Sequence, residues 1–311
     1  MKILLMGGTG WLGHNIARQL LAEGENVTIL TRGKKQTFAN EMPQGIETII
    51  ADKSDEAAMA QILKAGYTHI IDTVPSVASI NNVKKYACNL HHYIHCSSTG
   101  GYAPLPFVPC DETAPYGGFG TNSGWAQKRI VDNLVLNSFL EEGFPATVIR
   151  PCYITGPGML PLDNLGGRRQ DFIKDILDEK TLDLPNDGQA LLQPIHVEDL
   201  ATSFLLALAN PCSKGQVYNI CLSHAVHIST YVELNAAALG KKAHINLMPL
   251  EEMLEKYKAD INETWLRFFA CDMCFSIEKA RCQLGYNPRH TPEDTIQETA
   301  IWAAKSQGLI S

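Results

Sequence analysis

The run Gly7-Gly8-Thr9-Gly10-Trp11-Leu12-Gly13 restricts this chain more than any other stretch. It reads GxxGxxG. The apolar run Lys2–Met6 leads into it, and Trp11–Ala22 follows with Ile16, Leu20 and Leu21 at helical spacing and Gly24 as a stop. A strand that turns through glycines straight into a helix has few folded solutions. Gly7 permits the tight turn, Gly10 lets a pyrophosphate approach the backbone, and Gly13 lets the helix sit close on the sheet. The helix start then offers free N–H groups and a partial positive charge. In this context the motif predicts a dinucleotide site built from Gly7, Gly10, Trp11, Leu12 and Gly13.

The rest of the first half alternates β-rich runs with helical patterns. Strands are expected at Asn26–Thr31, Ile46–Ala51, Thr68–Thr73, Tyr93–Ser98 and Ala146–Arg150, and helices near Glu56–Ala65, Val77–Cys88 and Trp125–Glu142. That alternation implies parallel strands joined by crossover helices, hence an α/β, Rossmann-type doubly wound sheet. After Pro151 the rhythm changes. Gly156–Gly158 and Asn164–Gly167 are loop-rich, Gln170–Glu179 and Glu198–Leu208 read as helices, and Gln216–Cys221 as a strand; turns fall at Asn186–Gly188 and Gly285–Pro288. The remainder reads as mostly helical. We therefore expect a nucleotide domain of residues 1–157 plus about 190–222. A smaller, mostly helical substrate lobe would take about 158–189 plus 223–311.

Composition excludes several classes. With 311 residues, 45% of them hydrophobic and 19% charged, the chain buries a large core and is no disordered segment. No apolar run is long enough for a membrane span, and the N-terminal run is too short for a secretory signal. Net charge is −7, which disfavours a nucleic-acid partner. Nine cysteines at irregular spacing suit a reducing compartment, so a cytoplasmic protein is expected. Cys271 and Cys274 form a lone CxxC, read as structural. His91, His92 and His95 crowd the fifth strand without a convergent ligand spacing, so no metal is expected.

The end of the second strand chooses between nicotinamide dinucleotides: an acid there binds the ribose 2′-OH, a cation accepts a 2′-phosphate. Here it reads Thr31-Arg32-Gly33-Lys34-Lys35, without an acid. Arg32 therefore favours NADP(H) over NAD(H).

The chain resembles the extended short-chain dehydrogenase/reductase family, in its NAD-dependent epimerase/dehydratase group. The resemblance rests on GGTGWLG, on YIHCSSTGGY at 93–102, VIRPCYITGPG at 148–158, PIHVEDL at 194–200, GQVYNI at 215–220 and FSIEKARCQLGYNP at 275–288. It implies a cofactor across the C-terminal strand ends and a small-molecule substrate in the cleft between lobes. It also implies dimers through the long helices. Family catalysis uses a Ser/Thr at the end of the fifth strand and Tyr-x-x-x-Lys on the next helix. Hydride transfer at a carbonyl develops charge on oxygen, which tyrosine protonates, lysine supports and the Ser/Thr hydroxyl holds.

Ser98 matches the Ser/Thr and Lys128 the lysine. Four residues before Lys128 stands Gly124, and Asn122–Lys128 contains no phenol. Either another group moves the proton, with Tyr116 the first candidate and Tyr102 and Tyr153 others, or the reaction needs no phenol, or redox chemistry is gone. Thr99 and Gly100 supply no acid where the family's sugar dehydratases carry one, which disfavours that subclass. Asp111-Glu112 read as an exposed turn. His196 reads as structural and Asp199 as a cap for the following helix; Arg168-Arg169 suit a phosphate or carboxylate, or a solvated helix start. The sequence thus points to an NADP(H)-dependent oxidoreductase or epimerase with Ser98, Lys128 and Tyr116 at its centre. Its substrate would be small and polar, with nucleotide-linked compounds among the candidates, and would react at a hydroxyl/carbonyl centre. The alternative is a non-redox dinucleotide-binding regulator or RNA-associated scaffold.

Overall fold

The computed structural model describes residues 1–33, 45–117 and 124–311. Lys34 and Lys35 of the basic turn, and Asn122 and Ser123 before Gly124, lie outside the described residues.

The first half follows the expected alternation, with element ends at the expected residues or shifted by one or two. β1 (Lys2–Met6) leads through the glycine turn into α1 (Trp11–Ala22), then β2 (Asn26–Thr31) and β3 (Glu47–Ile50). α2 (Glu56–Leu63), β4 (His69–Asp72), α3 (Val77–Tyr86) and β5 (His92–Cys96) follow. α2 starts where Asp55 accepts from Ala58 N–H, and α3 where Ser76 and Ser79 form a reciprocal capping box. A 3-10 turn at Thr99–Tyr102, α4 (Gly124–Glu142) and β6 (Ala146–Pro151) complete this half.

The second half weaves between two bodies. β7 (Tyr153–Thr155), α5 (Asp171–Leu177), β8 (Thr181–Pro185), β9 (Leu191–Leu192) and β10 (Pro194–His196) precede α6 (Val197–Ala209) and β11 (Val217–Ile220). β12 (Val226–His227), α7 (Ile228–Ala238), β13 (His244–Met248), α8 (Leu250–Lys256), α9 (Glu263–Phe269), α10 (Glu278–Leu284) and α11 (Pro292–Ser306) finish the chain.

Among the described residues one seven-stranded sheet runs in the order β3-β2-β1-β4-β5-β6-β11, all parallel. Both faces are covered, so its central strands are continuous apolar runs: Ile3 to Met6 are 0% exposed. The order reverses direction at β1, and the strand ends there open a crevice. One core, with Ile16, Leu20 and Phe204, lies under α1 and α6; another, with Met59, Leu63 and Val135, lies under α2 to α4.

A separate core gathers Phe172, Leu184, Tyr231, Leu266 and Ile296 from the second half. This lobe is less purely helical than the sequence suggests. It carries the ribbons β7–β10, β8–β13 and β9–β12, of which β8–β13 is parallel over five residues. Strands this short show no clear alternation, which is why the sequence pattern misses them. No helix among the described residues is long and apolar enough to cross a membrane. Every thiol is free: Cys88, Cys212 and Cys282 are exposed, the others buried or half-buried.

Candidate active site

The glycine turn is shaped by contacts that a side chain would destroy. Gly7 has φ +84°, and a Cβ there would lie 2.3 Å from Thr73 Oγ1. A Cβ on Gly13 would lie 2.3 Å from the Gly7 carbonyl oxygen and 2.6 Å from Gly8 Cα, so the helix can approach the turn only without it. Gly10 is different. Its φ is −80°, and a Cβ would meet just the Gly7 oxygen at 3.4 Å. Among the described residues nothing demands glycine at this position, which leaves the space over the helix start bare. α1 has no side-chain cap and no acid in its first turn, so the N–H groups of Trp11, Leu12 and Gly13 stay open. The turn thus fits a pyrophosphate.

A cleft of about 400 Å³ extends from this turn. Gly7, Gly10, Thr31 and Arg32 line one part, Asp52 and Lys53 another. Thr9 Oγ1 and Thr31 Oγ1 meet at 3.0 Å and tie the turn to β2. Arg32 is exposed at the cleft's edge. Lys53 donates to buried Asp72 at 2.5 Å and to the Val74 carbonyl. Trp11 contributes backbone alone, since its indole N–H donates to the Pro157 carbonyl at 2.6 Å and its ring is buried. Leu12 is likewise a core side chain.

A second cavity, about 310 Å³, lies beyond the C-terminal end of β5, between the two bodies. Ser98 lines it. Ser98 Oγ accepts from Gly100 N–H at 3.1 Å, which caps the 3-10 turn, and its O–H remains free to donate. Cys152 and Tyr153 enter from β7's start, Arg168 from the loop before α5, Trp125 from α4 and Trp265 and Phe268 from α9. Trp125 stacks on Phe268, centroids 4.5 Å apart at 19°. A Cβ on Gly100 would fall 2.2 Å from Trp125 Nε1, so Gly100 makes room for the indole. The walls are largely apolar, not the polar cleft that a small polar substrate suggested.

Tyr116 is placed elsewhere. Its hydroxyl donates to the Ser98 carbonyl at 2.7 Å and lies 3.1 Å from Ser97 Oγ, while the Arg150 guanidinium covers its ring at 3.5 Å. Burial pushes its pKa up, and it does not line the cavity. Tyr102 accepts from Arg150 Nη1 at 2.6 Å, and burial holds its phenol up at about 12. Both tyrosines belong to an interior network centred on Asp132. That carboxylate accepts from His95 Nε2 at 2.9 Å, Ser97 Oγ at 2.9 Å and Arg150 Nε at 3.0 Å. Burial opposes its charge, yet His95, Arg150 and Ser97 hold its pKa below the usual value. Lys128, half-buried on α4, donates to the Ser97 carbonyl at 3.2 Å and lines neither cavity.

Tyr153 is the phenol that faces the cavity. Burial raises its pKa, and the neighbouring Arg168 works against that rise. Arg168 donates to the Leu160 carbonyl and to the Ile154 carbonyl at 2.8 Å, and burial lowers its pKa. Arg169 turns to Asn164 Oδ1 at 3.0 Å and to Asp163, so the arginine pair is not a solvated helix start. Glu112 is not the exposed acid the sequence suggested: it accepts from Asn219 N–H at 2.7 Å, and burial raises its pKa.

His196, not Asp199, caps α6, with Nδ1 accepting from Glu198 N–H at 3.2 Å. Asp199 holds the loop before α11, accepting from Arg289 N, His290 N and His290 Nδ1. His196, His290 and Glu298 come within reach of one another, a grouping 94 residues of chain hide. The two imidazoles stack at 3.6 Å and 19°. Near-parallel rings cannot both aim an in-plane lone pair at one ion, and the accepting Nδ1 leaves the His196 proton on Nε2.

A family model described as the NAD dependent epimerase/dehydratase family matches residues 3–221. The chain is 29% identical over 304 residues to an Arabidopsis thaliana chloroplast stem-loop binding protein of 41 kDa, covering 92% of this chain and 75% of that one. It is 25% identical to a UDP-glucose 4-epimerase of Corynebacterium glutamicum, covering 98% and 96%. Among solved structures, a Thermotoga maritima UDP-glucose 4-epimerase superposes with a TM-score of 0.78 at 18% identity, over 99% of this chain and 100% of that one. A Bacillus anthracis dTDP-glucose 4,6-dehydratase in complex with NAD gives 0.77 at 20% identity, covering 99% and 98%. These share its fold. The sheet order, the open glycine turn and the family match over most of the chain place this protein in the NAD-dependent epimerase/dehydratase family, among enzymes that work with a nicotinamide dinucleotide.

Proposed function

We propose that this protein is an NADP(H)-dependent oxidoreductase or epimerase acting at a hydroxyl/carbonyl centre of a small molecule. The observation that carries this reading is Gly10: bare space over an uncapped helix start, beside a cavity carrying Ser98. A bound dinucleotide supplies the hydride acceptor or donor. Ser98 O–H holds the reacting oxygen, and Lys128, resting on the Ser97 carbonyl, positions the strand end that carries Ser98. Tyr153, kept protonated by burial, donates to that oxygen in place of the phenol missing at Gly124. This assignment replaces Tyr116, whose hydroxyl is spent on Ser98. Arg32 at the cleft edge supports a preference for the 2′-phosphate. The free thiols fit a cytoplasmic setting, and exposed Ile130 and Leu140 on α4 fit a homodimer.

The test is a titration with NADPH and NADH followed by nicotinamide fluorescence. NADPH is expected to bind in the micromolar range, about tenfold tighter than NADH, with the difference lost in Arg32→Ala. Tyr153→Phe should lower kcat roughly 100-fold with dinucleotide affinity and substrate KM unchanged. Absence of binding by either dinucleotide overturns the reading.

A second reading is a dinucleotide-binding scaffold without turnover. Gly124 in place of a phenol and the likeness to the stem-loop binding protein favour it. NADPH binding without oxidation by any carbonyl compound, together with stem-loop RNA binding, would decide for it.

A further inference from the structure

We propose that the cavity beside Ser98 takes a flat, conjugated alcohol or carbonyl compound, an aromatic aldehyde or its alcohol, and not a sugar nucleotide. This rests on the reading above of that cavity as the substrate site.

The walls carry the argument. Trp125, Phe268, Trp265 and Tyr153 present four aromatic side chains, with Met273 beside them. Soft, polarizable walls of this kind favour a π-system over a polyol, because each sugar hydroxyl brought against them loses water without gaining a partner. The aromatic wall is built in at the cost of backbone freedom. Gly100 yields to the Trp125 indole, and Gly166, at φ +80°, yields to the Trp265 carbonyl, 2.4 Å from where a Cβ would be. Trp265 is itself 51% exposed although it lines the cavity, so part of its indole faces water until something flat covers it.

Charge argues the same way. A sugar nucleotide brings a diphosphate of about two negative charges, which a desolvated site must meet with free cationic donors. Among the described lining residues Arg168 is the one cation, and its Nη1 and Nη2 already serve the Leu160 and Ile154 carbonyls. The volume, about 310 Å³, is at the small end for ligand cavities and suits a ring with a short side chain. Among the lining side chains the Ser98 hydroxyl, the Cys152 thiol and the Tyr153 phenol offer polar handles. A conjugated carbonyl would stack on Trp125 and Trp265 with its oxygen on the Ser98 hydroxyl.

The experiment uses the full chain with three probes: cinnamaldehyde, cyclohexanecarbaldehyde and UDP-glucose. Binding is read by tryptophan fluorescence and by saturation-transfer NMR, and NADPH affinity is measured on the same samples. We expect cinnamaldehyde to bind at least tenfold tighter than either other probe. Trp265→Ala should weaken it about tenfold and Trp265→Phe should restore most of that, with NADPH affinity and melting temperature unchanged. Tighter binding of UDP-glucose, equal binding of the two aldehydes, or no effect of Trp265→Ala overturns the proposal. If NADPH binds and no aldehyde does, the substrate class fails while the dinucleotide reading stands. If aldehydes bind as expected and NADPH does not, the reverse holds.

Discussion

The glycine turn and the cavity beside Ser98 are built on opposite plans. The turn takes seven consecutive residues, and the backbone itself fixes two of its glycines: Gly7 by its φ of +84° and Gly13 by the Gly7 carbonyl. The cavity draws on the 3-10 turn after β5, on α4, β7, α9 and two loops, and residues from 98 to 273 shape it. The turn leaves one position free of internal constraint, Gly10, and there the open space serves a ligand. In the cavity almost every position answers to another side chain, as Gly100 does to Trp125. A glycine fixed by backbone admits no other side chain, whereas a position that answers to a neighbouring side chain can change together with it.

The largest expected effect tests the cavity's foundation. Asp132→Asn leaves Arg150 buried without its counter-charge and should cost about 3–5 kcal/mol, read by denaturant unfolding. The same carboxylate gives an acid limit. Because its pKa is depressed in the folded state, its contribution is full above the ordinary carboxylate range, about pH 4, and is lost as pH falls through the depressed value. A stability curve flat from pH 5 to pH 2 would contradict this. Next, Gly13→Ala drives a Cβ into the Gly7 carbonyl and should cost about 1–3 kcal/mol, with dinucleotide affinity falling alongside.

Gly10→Ser sharpens the contrast, because its two effects have opposite signs. Serine supplies the missing side-chain cap and should stabilise by about 0.3 kcal/mol, yet weaken NADPH at least tenfold by taking the same N–H groups. Parallel changes in melting temperature and affinity would place Gly10 among the structural glycines. The smallest effect is expected from Gly124→Tyr. Among the described residues no atom lies within 4 Å of a Cβ there, so the variant should fold with stability changed by under about 1 kcal/mol. With Tyr153 already donating, turnover should hold within about twofold. A large gain would show that the missing phenol alone limits this enzyme.

The difference also explains what the sequence could show. The Rossmann sheet was legible because its strands are short apolar runs separated by capped helices, and the turn because its residues are contiguous. Ser98 and Lys128 were picked out by their distance from recognisable neighbours, and of the two the structure brings Ser98 to the cavity. That Tyr116 is engaged and Tyr153 lines the cavity was not legible, since nothing in spacing tells which phenol is spent on a carbonyl oxygen. Trp125, three residues before Lys128, was visible as a letter but not as a wall; the Gly100-Gly101 pair after Ser98 was the sign that bulky rings lie over that turn. The paired ribbons of the second body join segments up to 63 residues apart, beyond any local pattern.

The distribution of thiols makes occupancy of the cavity measurable without any label added to the ligand. Burial pushes Cys96 and Cys110 up to about 11 and Cys221 higher still, so these three are slow to alkylate. Cys88, Cys212 and Cys282 stand exposed and should react first. Cys152 falls between: half-buried, donating to the Ile220 carbonyl at 3.7 Å, and lining the cavity. Its rate of modification, followed by mass spectrometry after the exposed thiols are spent, is therefore a clock that any bound substrate should slow.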